Sequence, residues 1–302
     1  MPKKSFLAIG ECMIEMARDA SGAWKLGVAG DTLNTAWYFR RCTSPGDWSV
    51  DYFTRLGTDR QSDRICDFIA AAGIGTGHIA RDPFRQPGLY LIDLDAGERS
   101  FTYWRGQSAA RLLADDEALL RAAIDASDVV YFSGITLAIL APDRRDFLLS
   151  LVADARRAGR TTVFDPNVRP RLWEDADEIR RRVRQAAAAA SIVLPSFDDE
   201  RTLFGDATPE ACARRYLAAG SGEVVVKNGG GDLCIGDAHG MQSLHVEEVE
   251  PVDTTGAGDS FNGAYLARRL SGDDPLEAAR RGHDVARKVV RHHGALVEEA
   301  VG

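Results

Sequence analysis

From residue 5 onward the chain alternates short apolar runs with helically spaced stretches, and this alternation most narrows what it can fold into. Residues 5–10 (SFLAIG), 50–55, 128–133, 161–165, 191–194 and 223–227 read as strands. After Asp31, a plausible N-cap, Leu33, Ala36, Trp37 and Arg40 or Arg41 fall at helical spacing. Helices are also expected over 60–72, 142–158, 175–190 and 209–219. Strands separated by helices in this way imply a parallel sheet with helices on both faces. Short strands at 233–236 and 241–245, then helices at 256–270 and 274–293, close the chain. The expectation is one doubly wound α/β domain over 1–302.

One stretch departs from the alternation. Residues 88–94 (GLYLIDL) and 99–104 read as strands joined by Asp95-Ala96-Gly97-Glu98, a hairpin signal. Cys12–Ala17 alternates weakly, as an exposed strand would. Strands near 12–28 and 86–106 are therefore expected to form a small inserted sheet, a lid. Its exposed edge and apolar face invite pairing with a second copy of the chain.

Charge and cysteine usage exclude some functions. Among 302 residues, 37 Lys and Arg stand against 45 Asp and Glu, a net charge of −8. That balance argues against nucleic acid as the partner. The run Arg180–Arg184 reads as a solvated helix face. The five cysteines show no metal-finger spacing and suit reduced thiols in a cytoplasmic protein. The first apolar run is broken by Gly10, Glu11 and Glu15, which argues against a signal peptide, and no run reaches the ~18–20 residues of a membrane span.

The chemistry concentrates in Asp253-Thr254-Thr255-Gly256-Ala257-Gly258-Asp259, just before a helical run. Small residues let the backbone approach a ligand. The unpaired amides of a helix start suit phosphate, or charge developing on a transferring group. Asp259 would accept a proton from an attacking hydroxyl. The bland alternative is a tight turn with a carboxylate on the helix dipole. No Gly-Lys pair occurs, so a P-loop is excluded.

This string resembles the signature of the ribokinase-like (PfkB) family of carbohydrate kinases. The resemblance implies a ribokinase-like doubly wound sheet with a β-sheet lid, and it covers essentially the whole chain. It implies catalysis by Asp259 with the amides of Gly256, Ala257 and Gly258. ATP and Mg²⁺ are the implied cofactors, with the metal held largely by phosphates and water rather than by a protein cage.

Three N-terminal segments bear on the acceptor. Gly30, Asp31 and Asn34 place a glycine and two polar groups at a helix start, suited to hydroxyls; a simple Asp N-cap is the alternative. Tyr103 and Arg105 share a strand face, with Tyr90 on the partner strand. A phenol beside a guanidinium can hold a carboxylate, or can be a surface pair. Asp165-Pro166-Asn167-Val168-Arg169 follows a strand, so Asn167 and Arg169 could reach substrate or phosphate. The strings GDTLNTA, YWR and DPNVRPRLW are most similar to the 2-keto-3-deoxygluconate kinases of that family. By resemblance, Gly30, Asp31, Asn34, Tyr90, Tyr103, Arg105, Arg169 and Asp259 line a sugar-acid pocket. The implied reaction is phosphorylation of the 6-hydroxyl. Another sugar kinase of the family and a non-catalytic sugar-acid sensor are the rivals.

On the nucleotide side, residues 223–232 run a strand into a glycine-rich turn, placing Lys227 and Gly229 for phosphates. Asn167, Ser196 and His283 join this set by resemblance. Many family members carry Asn-x-x-Glu where this chain has Ser196-Phe197-Asp198-Asp199-Glu200. That leaves open which of the three carboxylates organises the metal's water shell.

Overall fold

The computed structural model describes residues 3–18, 21–95, 98–247 and 249–301. In chain order the first half runs β1 (Lys4–Ile9), β2 (Met13–Arg18), β3 (Trp24–Ala29), α1 (Asp31–Cys42), β4 (Trp48–Gly57), α2 (Arg60–Ala71) and β5 (Ile79–Asp82). It continues through β6 (Gly88–Asp95), β7 (Glu98–Trp104), α3 (Glu117–Asp125), β8 (Val129–Ser133), α4 (Gly134–Ile139), α5 (Pro142–Arg157) and β9 (Thr161–Asp165). The second half comprises α6 (Ala176–Ala189), β10 (Ile192–Val193), α7 (Phe197–Phe204), α8 (Pro209–Ala218) and β11 (Glu223–Val226). Then come β12 (Leu233–Asp237), β13 (Gly240–Leu244), α9 (Ala257–Arg269) and α10 (Pro275–Val289).

Nine strands form the main sheet in the order β13-β12-β11-β10-β9-β8-β1-β4-β5. From β11 through β5 every pairing is parallel, and β12 and β13 extend one end antiparallel. Burial on both faces follows from the period of two along each strand. Phe6 and Ala8 of β1 pack with α1, α9 and α10, whereas Leu7 and Ile9 pack with α3, α5 and α6. The small sheet has the order β3-β2-β6-β7, with β2 and β6 parallel and the outer pairings antiparallel. In the hairpin, Tyr90 pairs with Tyr103 and Ile92 with Phe101. Its expected central residues, Ala96 and Gly97, lie outside the described residues.

Helices α1 and α9 cross closely because of Gly263. A Cβ there would lie 2.5 Å from Tyr38 Cβ and 2.7 Å from the Thr35 carbonyl. The Tyr38 hydroxyl then donates to the Ala295 carbonyl at 2.8 Å and accepts from Val297 N–H at 3.0 Å, tying the C-terminal segment to α1.

Three expectations need correction. Residues 12–17 are not an exposed strand: Cys12, Met13 and Ile14 are buried, because the small sheet packs back onto the main core. Asp31 is not an N-cap; Gly30 occupies that position without a side-chain capping bond, and Asp31 is the first residue of α1. Nor is 180–184 a wholly solvated face. Arg182 is 1% exposed, held by Asp146 and, at 2.8 Å, by Glu178. Its long apolar stem lies along the α5–α6 contact, so the helix spacing turned it inward.

Candidate active site

In a parallel sheet, loops at the carboxyl ends of the strands and helices starting there converge on one edge. Here β1 leads into Gly10-Glu11, β9 into Asp165-Pro166-Asn167 and β11 into Lys227. The starts of α1 and α9 meet them.

Gly256 turns the chain into α9 with φ of 74°, in the left-handed region. A Cβ there would also come within 2.7 Å of the Ala295 carbonyl, so glycine is required twice over. The first bond of the helical ladder runs from Ser260 N–H to the Gly256 carbonyl at 2.8 Å. The amides of Ala257, Gly258 and Asp259 therefore have no intrahelical partner. Ala257 N–H closes a turn on the Thr254 carbonyl at 3.2 Å, which leaves Gly258 and Asp259 as the freer donors.

Asp259 lies in this first turn, and its Oδ2 accepts from Asn34 Nδ2 of α1 at 2.8 Å. Burial, then the neighbouring charge of Asp31, push its carboxyl up to about 8; the Asn34 bond and the Lys227 cation pull the other way. Asp31 is itself raised, again by burial first, with Ser133 and Asn167 opposing. Its Oδ2 accepts from Asn167 Nδ2 at 2.8 Å. Asn167 reaches that position with φ of 33°, a conformation asparagine tolerates, and its amide donates to Asp165 Oδ1 at 3.1 Å.

A buried polar network underlies these groups. Lys227 Nζ donates to Asn262 Oδ1 at 3.0 Å and lies 3.5 Å from Asp165 Oδ2. Asn262 Nδ2 donates to Asp165 at 2.7 Å and to the Tyr131 hydroxyl at 3.2 Å, which also receives Thr35. A Cβ on Gly258 would stand 3.5 Å from Lys227 Nζ. The ammonium thus lies under the open end of α9, beside Asp259, rather than out in the turn that follows β11. Gly229, in that turn, has φ of 56° and open space around it.

On the small-sheet side, Tyr90 is 8% exposed, hydrogen-bonds Glu15 and packs against Tyr103, with ring centroids 5.7 Å apart. The strand ends at Trp104, and Arg105 follows it directly. Its Nη2 pairs with Glu11, whose other oxygen accepts from Ser108 at 2.5 Å. Gly30 allows this approach, since a Cβ there would lie 2.3 Å from the Glu11 carbonyl.

The three consecutive carboxylates separate by direction. Asp198 is exposed and pairs with Arg201. Glu200 is fully buried against Arg215 at 2.6 Å, and burial pushes it up to about 7. Only Asp199 turns toward the site: Arg169 lies 3.8 Å away, and both Asp165 and Lys227 act on it. Ser196 is bridged to Lys227 by backbone pairing. His283 lies on α10, where burial pushes its pKa below the usual imidazole value; the adjacent Gly282 fits against the ring of Phe261.

The contacts thus join Asn34 to Asp259, Asp31 to Asn167, and Lys227 to the start of α9. Glu11, Asp165 and Asn262 are site residues that sequence reasoning missed. Glu11 interrupting an apolar strand exit, and Asp165 ending another, were the signals present.

A model of the pfkB family carbohydrate kinases matches residues 3–299. The 2-dehydro-3-deoxygluconokinase of Escherichia coli (strain K12) is 39% identical over 302 aligned positions, covering 97% of each chain. The crystal structure of a PfkB protein from Polaromonas sp. JS666 superposes with a TM-score of 0.82 at 28% identity, covering 98% of each chain. A fructokinase with bound ATP from Xylella fastidiosa shares the fold, with a TM-score of 0.84 at 23% identity over 99% of this chain and 95% of that one. Among the described residues, no helix is long and apolar enough to cross a membrane.

Proposed function

The chain belongs to the pfkB family of carbohydrate kinases, and from that membership we propose that it transfers the terminal phosphoryl group of ATP to the 6-hydroxyl of 2-keto-3-deoxygluconate. The observation that carries the chemistry is Asp259, held by Asn34 at 2.8 Å in the first turn of a helix whose leading amides are open.

The reaction needs a hydroxyl brought in line with the phosphoryl group, a proton acceptor, and stabilisation of charge on the transferring oxygens. Asp259 Oδ2 is occupied by Asn34, so Oδ1 meets the 6-hydroxyl and takes its proton as the new O–P bond forms and the bond to ADP breaks. The Gly258 and Asp259 amides and Lys227 receive the developing negative charge. Asp31 and Asn34 hold sugar hydroxyls, with Gly30 allowing α1 to start close by. Tyr90 and Tyr103 cover the sugar, and Arg105 and Arg169 address the acid end.

The remaining nucleotide contacts fall to Asn167, Ser196, Gly229, Gly256, Ala257 and His283. Mg²⁺ accompanying ATP would screen the phosphate charge. Asp199 fits its hydrated shell: it lies 3.8 Å from Arg169, and burial and Asp165 raise its carboxyl against Arg169, Lys227 and the Val168 backbone, a demand that a cation relieves. The small sheet acts as a lid that excludes water. Its exposed rings Phe101 and Tyr103, at 40% and 50%, support pairing with a second copy. Five free thiols, three of them buried, fit a reducing cytoplasm.

A coupled ATP-consumption assay over a panel of sugar acids and neutral sugars tests the reading. Turnover highest on the 2-keto-3-deoxy sugar acid supports it, and a clear preference for fructose or ribose overturns it.

A further inference from the structure

We infer that Glu11 is a positioning residue for sugar-acid recognition, holding one edge of the Arg105 guanidinium so that Nη1 is presented to the substrate carboxylate. The inference rests on the reading that Arg105 receives that carboxylate.

The Glu11 side chain is 0% exposed and both its oxygens are engaged, Oε2 by Arg105 and Oε1 by Ser108 at 2.5 Å. A carboxylate so enclosed must be paired, and Arg105 is its cation among the described residues. Arg105, 11% exposed, has little else to hold it: its Nε is buried and has no hydrogen-bond partner among the described residues. The direction of the guanidinium is therefore set by Glu11.

Two glycines from different elements leave room for Glu11. A Cβ on Gly30, before α1, would lie 2.3 Å from the Glu11 carbonyl, and one on Gly88, in β6, would lie 3.1 Å from Oε1. The exit of β1, the start of α1, a small-sheet strand and the segment after β7 thus meet on this one carboxylate. It also offsets the charge of Arg105, so the pocket selects by the geometry of the guanidinium fork rather than by bare positive charge.

Steady-state kinetics on three variants test this, with melting temperature as the folding control. Glu11→Asp keeps the charge but is one methylene too short to reach both Arg105 and Ser108. It is expected to raise KM for the sugar acid about tenfold while KM for ATP stays unchanged. Glu11→Gln keeps the length and one acceptor for Arg105, while the Ser108 hydroxyl can turn to accept from the new amide, so it is expected to stay within about threefold of wild type. Ser108→Ala, which releases one oxygen, is expected to raise the same KM about threefold and reports even if Glu11→Asp does not fold. Unchanged KM in Glu11→Asp or Ser108→Ala, a parallel rise in KM for ATP, or an equal loss in Glu11→Gln overturns the inference. If wild type prefers a neutral sugar, the substrate reading falls and this inference with it. If wild type prefers the acid and Arg105→Ala loses it while Glu11→Asp does not, only this inference falls.

Discussion

Asn34 Nδ2 donates to Asp259 Oδ2 across 2.8 Å, between residues 225 positions apart in the chain. The bond fixes one carboxylate oxygen, and the other is the one proposed to meet the acceptor hydroxyl. It exists because α1 and α9 cross at Gly263, which brings their first turns together.

Replacing Asp259 separates chemistry from stability. Asp259→Asn is expected to lower kcat ~10²–10⁴-fold, the usual scale for losing a general base. Folding should not suffer. The folded carboxyl is raised from 3.8 to about 8, so between those pH values the native state binds the proton more tightly and wild-type stability falls as pH rises. The melting advantage of Asp259→Asn should therefore grow from about pH 4 and level off above about pH 8. Thermal melts across that range check it.

The same carboxyl governs the pH profile. A base with its pKa raised to about 8 is active only when deprotonated, so kcat/KM should rise with pH and level off above about 8. Asn34 lowers that value, so Asn34→Ala should move the ascending limb to higher pH as well as reduce kcat. Rate profiles of the two proteins, measured side by side, test both statements.

Arg105→Ala removes the cation proposed for the substrate carboxylate. KM for the sugar acid should rise ~10–100-fold, the worth of a charge-assisted bond, with KM for ATP nearly unchanged. An equal rise in both would assign Arg105 a structural role alone.

Gly263→Ala puts a Cβ 2.5 Å from Tyr38 Cβ. Overpacking of this kind costs about 1–3 kcal/mol. Since the strain parts α1 from α9, kcat should fall with the melting temperature, whereas an ordinary core substitution would lower the latter alone. Denaturant melts paired with turnover measurements distinguish the two.

Asp199→Asn is expected to raise the Mg²⁺ concentration for half-maximal rate about tenfold, on the scale of outer-sphere partners of a metal. Asp198→Asn, at an exposed position paired with Arg201, should leave it unchanged. Mg²⁺ titrations at fixed ATP provide the comparison.

Strand–helix alternation was legible in the chain because each element buries its own periodic face. Several elements escaped that reading, α3 and α7 among them, although the two-residue β10 falls within the strand read at 191–194. Strand β5 has four residues and α4 has six, too few to display a period. The string from Asp253 to Asp259 was equally legible, since a left-handed Gly256, open amides and a first-turn carboxylate are local properties of consecutive residues.

Contacts between distant segments were a different matter. Lys227 was expected among the glycines of its own turn, yet its ammonium lies under α9, drawn there by Asp165 and Asn262 from two other elements. Three adjacent carboxylates, Asp198, Asp199 and Glu200, are alike in sequence. One turn of α7 sends the first to solvent, the second to the site and the third onto Arg215. Arg182 and Glu11 became buried for the same reason: partners from other segments made burial of a charge tolerable. Sequence alone therefore determined the sheet, its helices and the helix start proposed to meet phosphate. Only the tertiary structure decided which charges face one another there, because ion pairing depends on distances between segments that no local spacing encodes.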